Sequence, residues 1–428
     1  MIVLLCLLFI MLVPLGIAGL ALIHQGLGRS RSAAHTMLAT LCAMGLAAIV
    51  FVVVGEAWAG YAGGATHVLH AGGARWDWLG AERFFADGRR GAGRANALGP
   101  LSLCLQVFTV GLVAVIPIST GSDRWRLAGV CVSSVAMAAL VYPLFSHWVW
   151  GAGWLTQMQA NFGLSPFVDA GGAGVVQVVG GLSALSVAWV LGPRKGKYSD
   201  GMATAIPGHN IVQVMFGCML ALVGWTGLEC AASLLFARAQ PEQLIWVVVN
   251  AMLAAGSGLL AAVLTTRLRY RKPDSSMSAN GWVAGLVAGS AGCCFLSPGQ
   301  TIFIGLVAGG LVTWLVEWLE MTVLVDDPGG AISVHAGAGI WGLLAYGLLA
   351  PTSGDAGTRG VHVLVQLVGV ATLLGVMLPL IHGLNVLLNR LVPYRVDRDG
   401  DWQGMDIREL GSGAYPEFVM HADEFVPR

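Results

Sequence analysis

Apolar runs of about twenty residues recur along the chain, each closed by a short polar segment. A membrane-crossing helix needs roughly 20 mostly apolar residues. The pattern predicts eleven such helices, near 2–26, 34–60, 99–121, 125–150, 169–193, 208–236, 243–266, 279–296, 301–323, 328–350 and 361–391. A polar segment, 392–428, follows the last run. The expected class is therefore an all-α polytopic membrane protein with a membrane domain over 1–391 and a tail after it. No Lys or Arg falls in mid-span, whereas Glu56, Glu229, Glu317 and Glu320 lie within or near apolar runs. Carboxylates at such depth usually face a polar interior or a helix end.

Charge between the runs predicts an orientation. Eleven Lys and Arg fall in alternate short loops: Arg29 and Arg31; Arg124 and Arg126; Arg194, Lys195 and Lys197; Arg267, Arg269, Arg271 and Lys272. The opposite short loops hold only Arg238 and Arg359. Positive charge is retained on the cytoplasmic side, which puts the N-terminus outside and the tail inside the cell membrane. The opening apolar run has no basic residue before Arg29 and is longer than the core of a signal peptide, so it reads as the first span.

Composition agrees with this picture and narrows the function. Of 428 residues, 56% are hydrophobic and 11% charged, and the mean hydropathy is +0.74. A soluble domain with so few charges would expose too much apolar surface. The net charge is zero, so nothing points to nucleic acid. Eight Cys are scattered without CxxC spacing and read as small buried hydrophobes. No nucleotide loop, metal cluster or nucleophile–base pair suggests an enzyme, and no cofactor is implied.

One motif occurs twice. "DAGGAGVVQ", Asp169 to Gln177, returns as "DPGGAISVH", Asp327 to His335, and 169–185 match 327–343 at seven of 17 positions. The copies fall on the fifth and tenth predicted helices. Five intervening crossings reverse direction, which predicts an inverted repeat, with halves of about 1–193 and 208–350 and a final helix at 361–391. Functional groups of such proteins gather at the interface of the halves. Eight residues of helix rise about 12 Å, so each Asp sits near a helix start and the Gln or His deeper, on a similar face. Asp169 and Asp327 suit N-caps; capping is favoured over direct substrate contact, and one Asp can do both. His335 opposite Gln177 is the candidate pore group.

At these residues the chain resembles the ammonium transporter (Amt/Mep/Rh) family, nearest its Amt branch, over about 8–416. The carrying motifs are "YPLFSHWVWG" (142–151), "VDAGGAGVVQ" (168–177), "KPDSSMSANGWVAGLVAGSAGCCFLSPG" (272–299), "VDDPGGAISVHAGAGIWG" (325–342) and "GMDIRELGSGAYP" (404–416). The resemblance implies a homotrimer with one pore per subunit, ammonium or ammonia as the cargo, and a tail that packs across the trimer. In this family such tails can meet a P-II type regulatory protein. Trp150 matches the Trp of the outer recruitment site, where an indole face attracts a cation. Tyr142 matches as well, Asp169 matches the Asp behind that site, and His335 matches the second of two paired pore histidines.

Several positions depart from the family pattern. Gln177 stands where the first pore His is expected. The inner-gate Phe is Leu228, its neighbouring Asn is Glu229, and the recruitment-site Ser is Ala232, with Ser233 adjacent. The outer-gate Phe falls on Thr109, with Phe108 one position early, and one residue turns a side chain by about 100° around a helix. Losing both gate rings predicts a wider or wetter upper pore, with Glu229 near it to attract cations. Gln offers an amide donor and acceptor but does not titrate, whereas His titrates near neutrality. Gln177 can therefore hold the His335 tautomer without relaying a proton. Two readings follow: a transporter with an altered pore, or an ammonium sensor that hardly transports. A neutral-gas channel explains Gln177 but not Trp150. Segment 61–98 is Gly- and Arg-rich and reads as an outer loop over the pore mouth, with His67 and His70 as surface residues.

Overall fold

A computed structural model describes residues 2–87, 98–199, 201–351 and 358–415. Ten of its helices are long and apolar enough to cross a membrane: α1 (Ile2–Leu27), α2 (Ser30–Ala59), α3 (Leu98–Gly121), α4 (Leu127–Val149), α5 (Ala173–Leu191), α6 (Ile211–Leu235), α7 (Pro241–Tyr270), α9 (Pro298–Val323), α10 (Ile332–Leu349) and α11 (Arg359–Leu391). The expected eighth span is α8 (Ser275–Gly289), continued by one 3-10 turn, Ser290–Gly292. It begins earlier than the apolar run because Asp274 caps it, accepting from Met277 N–H at 2.8 Å.

The helices repeat as two inverted sets. α2 packs on α3 and α4 as α7 packs on α8 and α9, while α1 lies along α6 and α5 meets α10. Small residues allow the closest crossing: a Cβ on Gly224 would lie 2.0 Å from Gly16 N. Without a hydrophobic drive between helices in lipid, such backbone approach supplies the contact.

The fifth and tenth helices show the symmetry at residue level. Each opens with a left-handed glycine, Gly172 (φ 89°) and Gly330 (φ 72°), followed by a widened turn, Ala173–Val178 and Ile332–Gly337. A Cβ on Gly181 would strike Ala336, and one on Gly339 would strike Val178. Residues 158 apart thus exchange the same contact, as a two-fold axis requires.

The two faces of the bundle are closed differently. On one, β1 (Thr66–Ala71) and β2 (Ala74–Gly80) form an antiparallel hairpin within the segment read as a loop. Trp76 and Trp78 pack against Trp154, and Trp78 against Trp148. Asp77 bonds His147 Nε2 at 3.1 Å. His67 and His70 are exposed on β1; residues 88–97 of that segment lie outside the described residues. On the other face, the tail caps helices. Asp406 accepts from His35 N–H at 2.7 Å, and Glu409 from Leu127 N–H at 3.0 Å. Residues 416–428 of the tail, including Pro416 of the last motif, lie outside the described residues.

Candidate functional site

Two capping aspartates frame the site. Asp169 Oδ2 accepts from the N–H groups of Gly174 and Val175 at 2.8 Å each, and Oδ1 from Gly172 at 3.1 Å. Asp327 Oδ2 accepts from Ile332 N–H at 2.8 Å, and Oδ1 from the Thr120 hydroxyl at 2.6 Å. Both turns orient N–H groups inward, and both carboxylates satisfy them, so capping is what the geometry displays. Burial raises each carboxyl to about 6, opposed by those donors.

Trp150 ends α4 beside the first of these caps. Its Nε1–H donates to the Asp169 carbonyl at 2.9 Å, which ties the indole to the start of α5. One indole face is already covered: Phe236 stacks on it with centroids 4.5 Å apart and planes 12° apart. Both rings line a cavity of about 740 Å³ on the hairpin face, together with Phe167, Asp169 and Arg238. The sequence reading passed over Phe236, the residue after α6 ends, because nothing in "LLFARAQ" marks it as turned back toward Trp150.

The neck below is filled. Thr109 and Leu228 are fully buried, and neither lines the cavity. Thr109 Oγ1 shares a 2.8 Å hydrogen bond with the Tyr142 hydroxyl, and Tyr142 meets Phe51 edge-on. Phe108 points to a half-buried side of α3, one helical step away. The expected wider upper pore is therefore not what the structure has. Packing closes around the smaller residues, and the ring missing at 109 and 228 reappears higher, at 236.

Glu229 is buried, with Oε1 accepting the Ser290 hydroxyl at 2.7 Å and Oε2 unpartnered among the described residues. Its Cγ lies against Gly171, directly behind the Asp169 turn. Ala232 is buried. Ser233 does not stand in for the missing recruitment Ser, because its hydroxyl shares a 3.3 Å contact with Cys293 Sγ.

At the middle, His335 Nδ1 lies 2.8 Å from Gln177 Oε1. An amide oxygen only accepts, so Nδ1 carries the proton and Nε2 keeps its lone pair. Gln177 Nε2 has no partner among the described residues. Trp225 flanks the imidazole, centroids 6.4 Å apart. Both Trp225 and His24, a buried residue of α1, escaped the sequence reading.

On the tail face, two of the loop arginines used for orientation are buried. Arg194 forks onto Asp326 with two 2.9 Å bonds and reaches Asp123 at 3.2 Å. Arg124 donates to the carbonyls of Gly192, Ser122 and Asp326. Burial works against the Asp326 charge, but the two guanidiniums outweigh it and hold the carboxyl at about 2. The cluster ties the loop into α10, and so Asp327, to the loops after α3 and α5.

Two inverted sets of helices meeting at a buried Gln–His pair, below a Trp-lined cavity, define a polytopic membrane protein of the inverted-repeat transporter class. The model of the Ammonium Transporter Family matches residues 2–415. The chain belongs to that family. It is 31% identical to the ammonium transporter Amt2 of Archaeoglobus fulgidus, over 94% of this chain and 85% of that one. It is 28% identical to the ammonium transporter of Bacillus subtilis, over 95% and 96%. Its fold matches a chain described as a sensor Amt protein with TM-score 0.85 and 25% identity, covering 94% and 96%. It also matches Mep2 of Candida albicans with TM-score 0.77 and 21% identity, covering 91% and 85%, a likeness of fold alone.

Proposed function

We propose that the protein carries ammonium across the membrane by taking it up at Trp150, giving its proton to His335, and passing ammonia on along the Gln177–His335 pair. By family it is an ammonium transporter and not an enzyme. The observation that carries the residue roles is the Gln177–His335 hydrogen bond, which joins equivalent positions of the two repeats in line with the Asp169 turn. Stripping water from a whole ammonium ion in so tight a path is costly. A lone pair held at His335 Nε2 offers the proton an alternative. The hairpin face is the outside and the tail face the cytoplasm, a reading supported by the basic loops. The membrane is the cell membrane, the tail begins at 392, and the assembly is a homotrimer with a tail open to a P-II type partner; the family resemblance supports these.

Ammonium-evoked current from proteoliposomes on a solid-supported membrane tests the proposal. The native protein should give a current that His335→Ala reduces at least tenfold. A protein that binds ammonium tightly but yields neither current nor ammonia uptake is a sensor instead.

A further inference from the structure

The pathway described so far has one titratable ring, and a proton accepted there must leave again. The tail-ward side of His335 holds a second imidazole. His24 lies on α1, 2% exposed, and its Nδ1 has no hydrogen-bond partner among the described residues. Two contacts place it. Leu27, one turn further along the same face of α1, reaches Gly329 at the entrance to α10. Trp225, whose ring flanks His335, packs on Gly16 of the same helix. His24 is about 4.5 Å in from Leu27, and His335 up to about 9 Å in from Gly329, which puts His24 on the tail side of the His335 ring.

A polar exit adjoins His24. Gln25 Nε2 donates to His209 Nε2 at 3.1 Å and to the Tyr415 hydroxyl at 3.3 Å. His209 Nδ1 lies 3.2 Å from the Gly28 carbonyl, which can only accept, so the proton is on Nδ1 and Nε2 is the acceptor. His209 is half-buried on the tail face.

We propose that His24 is the second proton-carrying residue of the pathway, receiving the proton from His335 and delivering it at the mouth formed by Gln25, His209 and Tyr415. This rests on the reading that ammonium gives up its proton. In the step, one N–H bond of ammonium breaks and one forms at His335 Nε2, leaving ammonia to move on. The imidazolium then loses that proton to the free lone pair of His24, directly or across one water. His24 returns it to water at the mouth, where ammonia takes it up again. No electrons change hands, and both rings end neutral.

His24→Gln keeps a buried polar group of similar size that cannot titrate. In the current assay it should lower maximal current at least tenfold and leave half-saturating ammonium within about twofold. Adding Gln177→His to that variant supplies a second titrating ring beside His335 and should restore at least a third of the current, which a merely misfolded protein would not do. Failure of both expectations, with His24→Gln keeping native current while His335→Gln abolishes it, overturns the relay and leaves transport standing. A native protein without current overturns transport and the relay with it.

Discussion

Phe236 covering Trp150 has a measurable consequence for uptake. A centroid separation of 4.5 Å leaves no room for an ammonium ion between the rings. An ion can use that indole face only after Phe236 moves away. An aromatic stack contributes about 0.5–1.5 kcal/mol beyond its buried area, and that is the cost set against ion binding. Removing the ring in Phe236→Ala abolishes the cost, so half-saturating ammonium should fall by about 2- to 13-fold. Phe236→Leu keeps bulk without the stack and should fall between. Initial current against ammonium concentration reads both. Half-saturation that is unchanged or higher in Phe236→Ala refutes the reasoning, since the ring would then be part of the ion's cage and not its cover.

Three further outcomes follow from the charges. Asp169 has a folded-state pKa raised to about 6 from 3.8 by burial, so its contribution to stability is fully present below about pH 4 and lost as pH rises through 6. Detergent-solubilised native protein should therefore gain more thermal stability between pH 7 and 5 than Asp169→Asn does; equal slopes would refute this. Arg194→Ala removes the forked partner of buried Asp326, leaving it Arg124 and leaving Asp123 to Arg29; this should cost less than the roughly 3–5 kcal/mol of a fully unpaired buried charge, seen as a fall in Tm. Arg238 lines the cavity at Trp150; if ammonium enters there, Arg238→Ala should lower half-saturating ammonium at low ionic strength, with the effect fading as salt rises.

How far the sequence carried depended on the range of the interaction involved. Helix positions follow from apolar runs, because each span must satisfy its backbone internally and face lipid or other helices; ten runs became long helices. The aspartate caps were legible for the same local reason, acting on N–H groups within six residues. Phe108 could be set aside by rotation alone, and it does lie off the Thr109 side. The hairpin was hidden because its aromatic partners, Trp148 and Trp154, lie some seventy positions on. His24 was hidden more deeply, as a single polar residue in an apolar run. Its setting comes from the crossing of α1 with α6 and from the contact of Leu27 with the entry to α10.

The difference between the ends of the repeated motif now has a physical setting. The turns are held to one design by shared backbone needs: a left-handed glycine, an aspartate acceptor and a close reciprocal crossing at Gly181 and Gly339. Residues 177 and 335 meet each other on the axis, where symmetry would place two like groups. Two neutral imidazoles there would have to agree on which donates. In this structure the Gln177 amide turns its oxygen to the ring, so the proton lies on His335 Nδ1. Nε2 then carries the lone pair. The same substitution ends any onward transfer toward Gln177, so a proton taken at His335 has to leave by another neighbour. On the proposed relay, the asymmetry of the pair and the buried His24 nitrogen, unpartnered among the described residues, are two sides of one requirement.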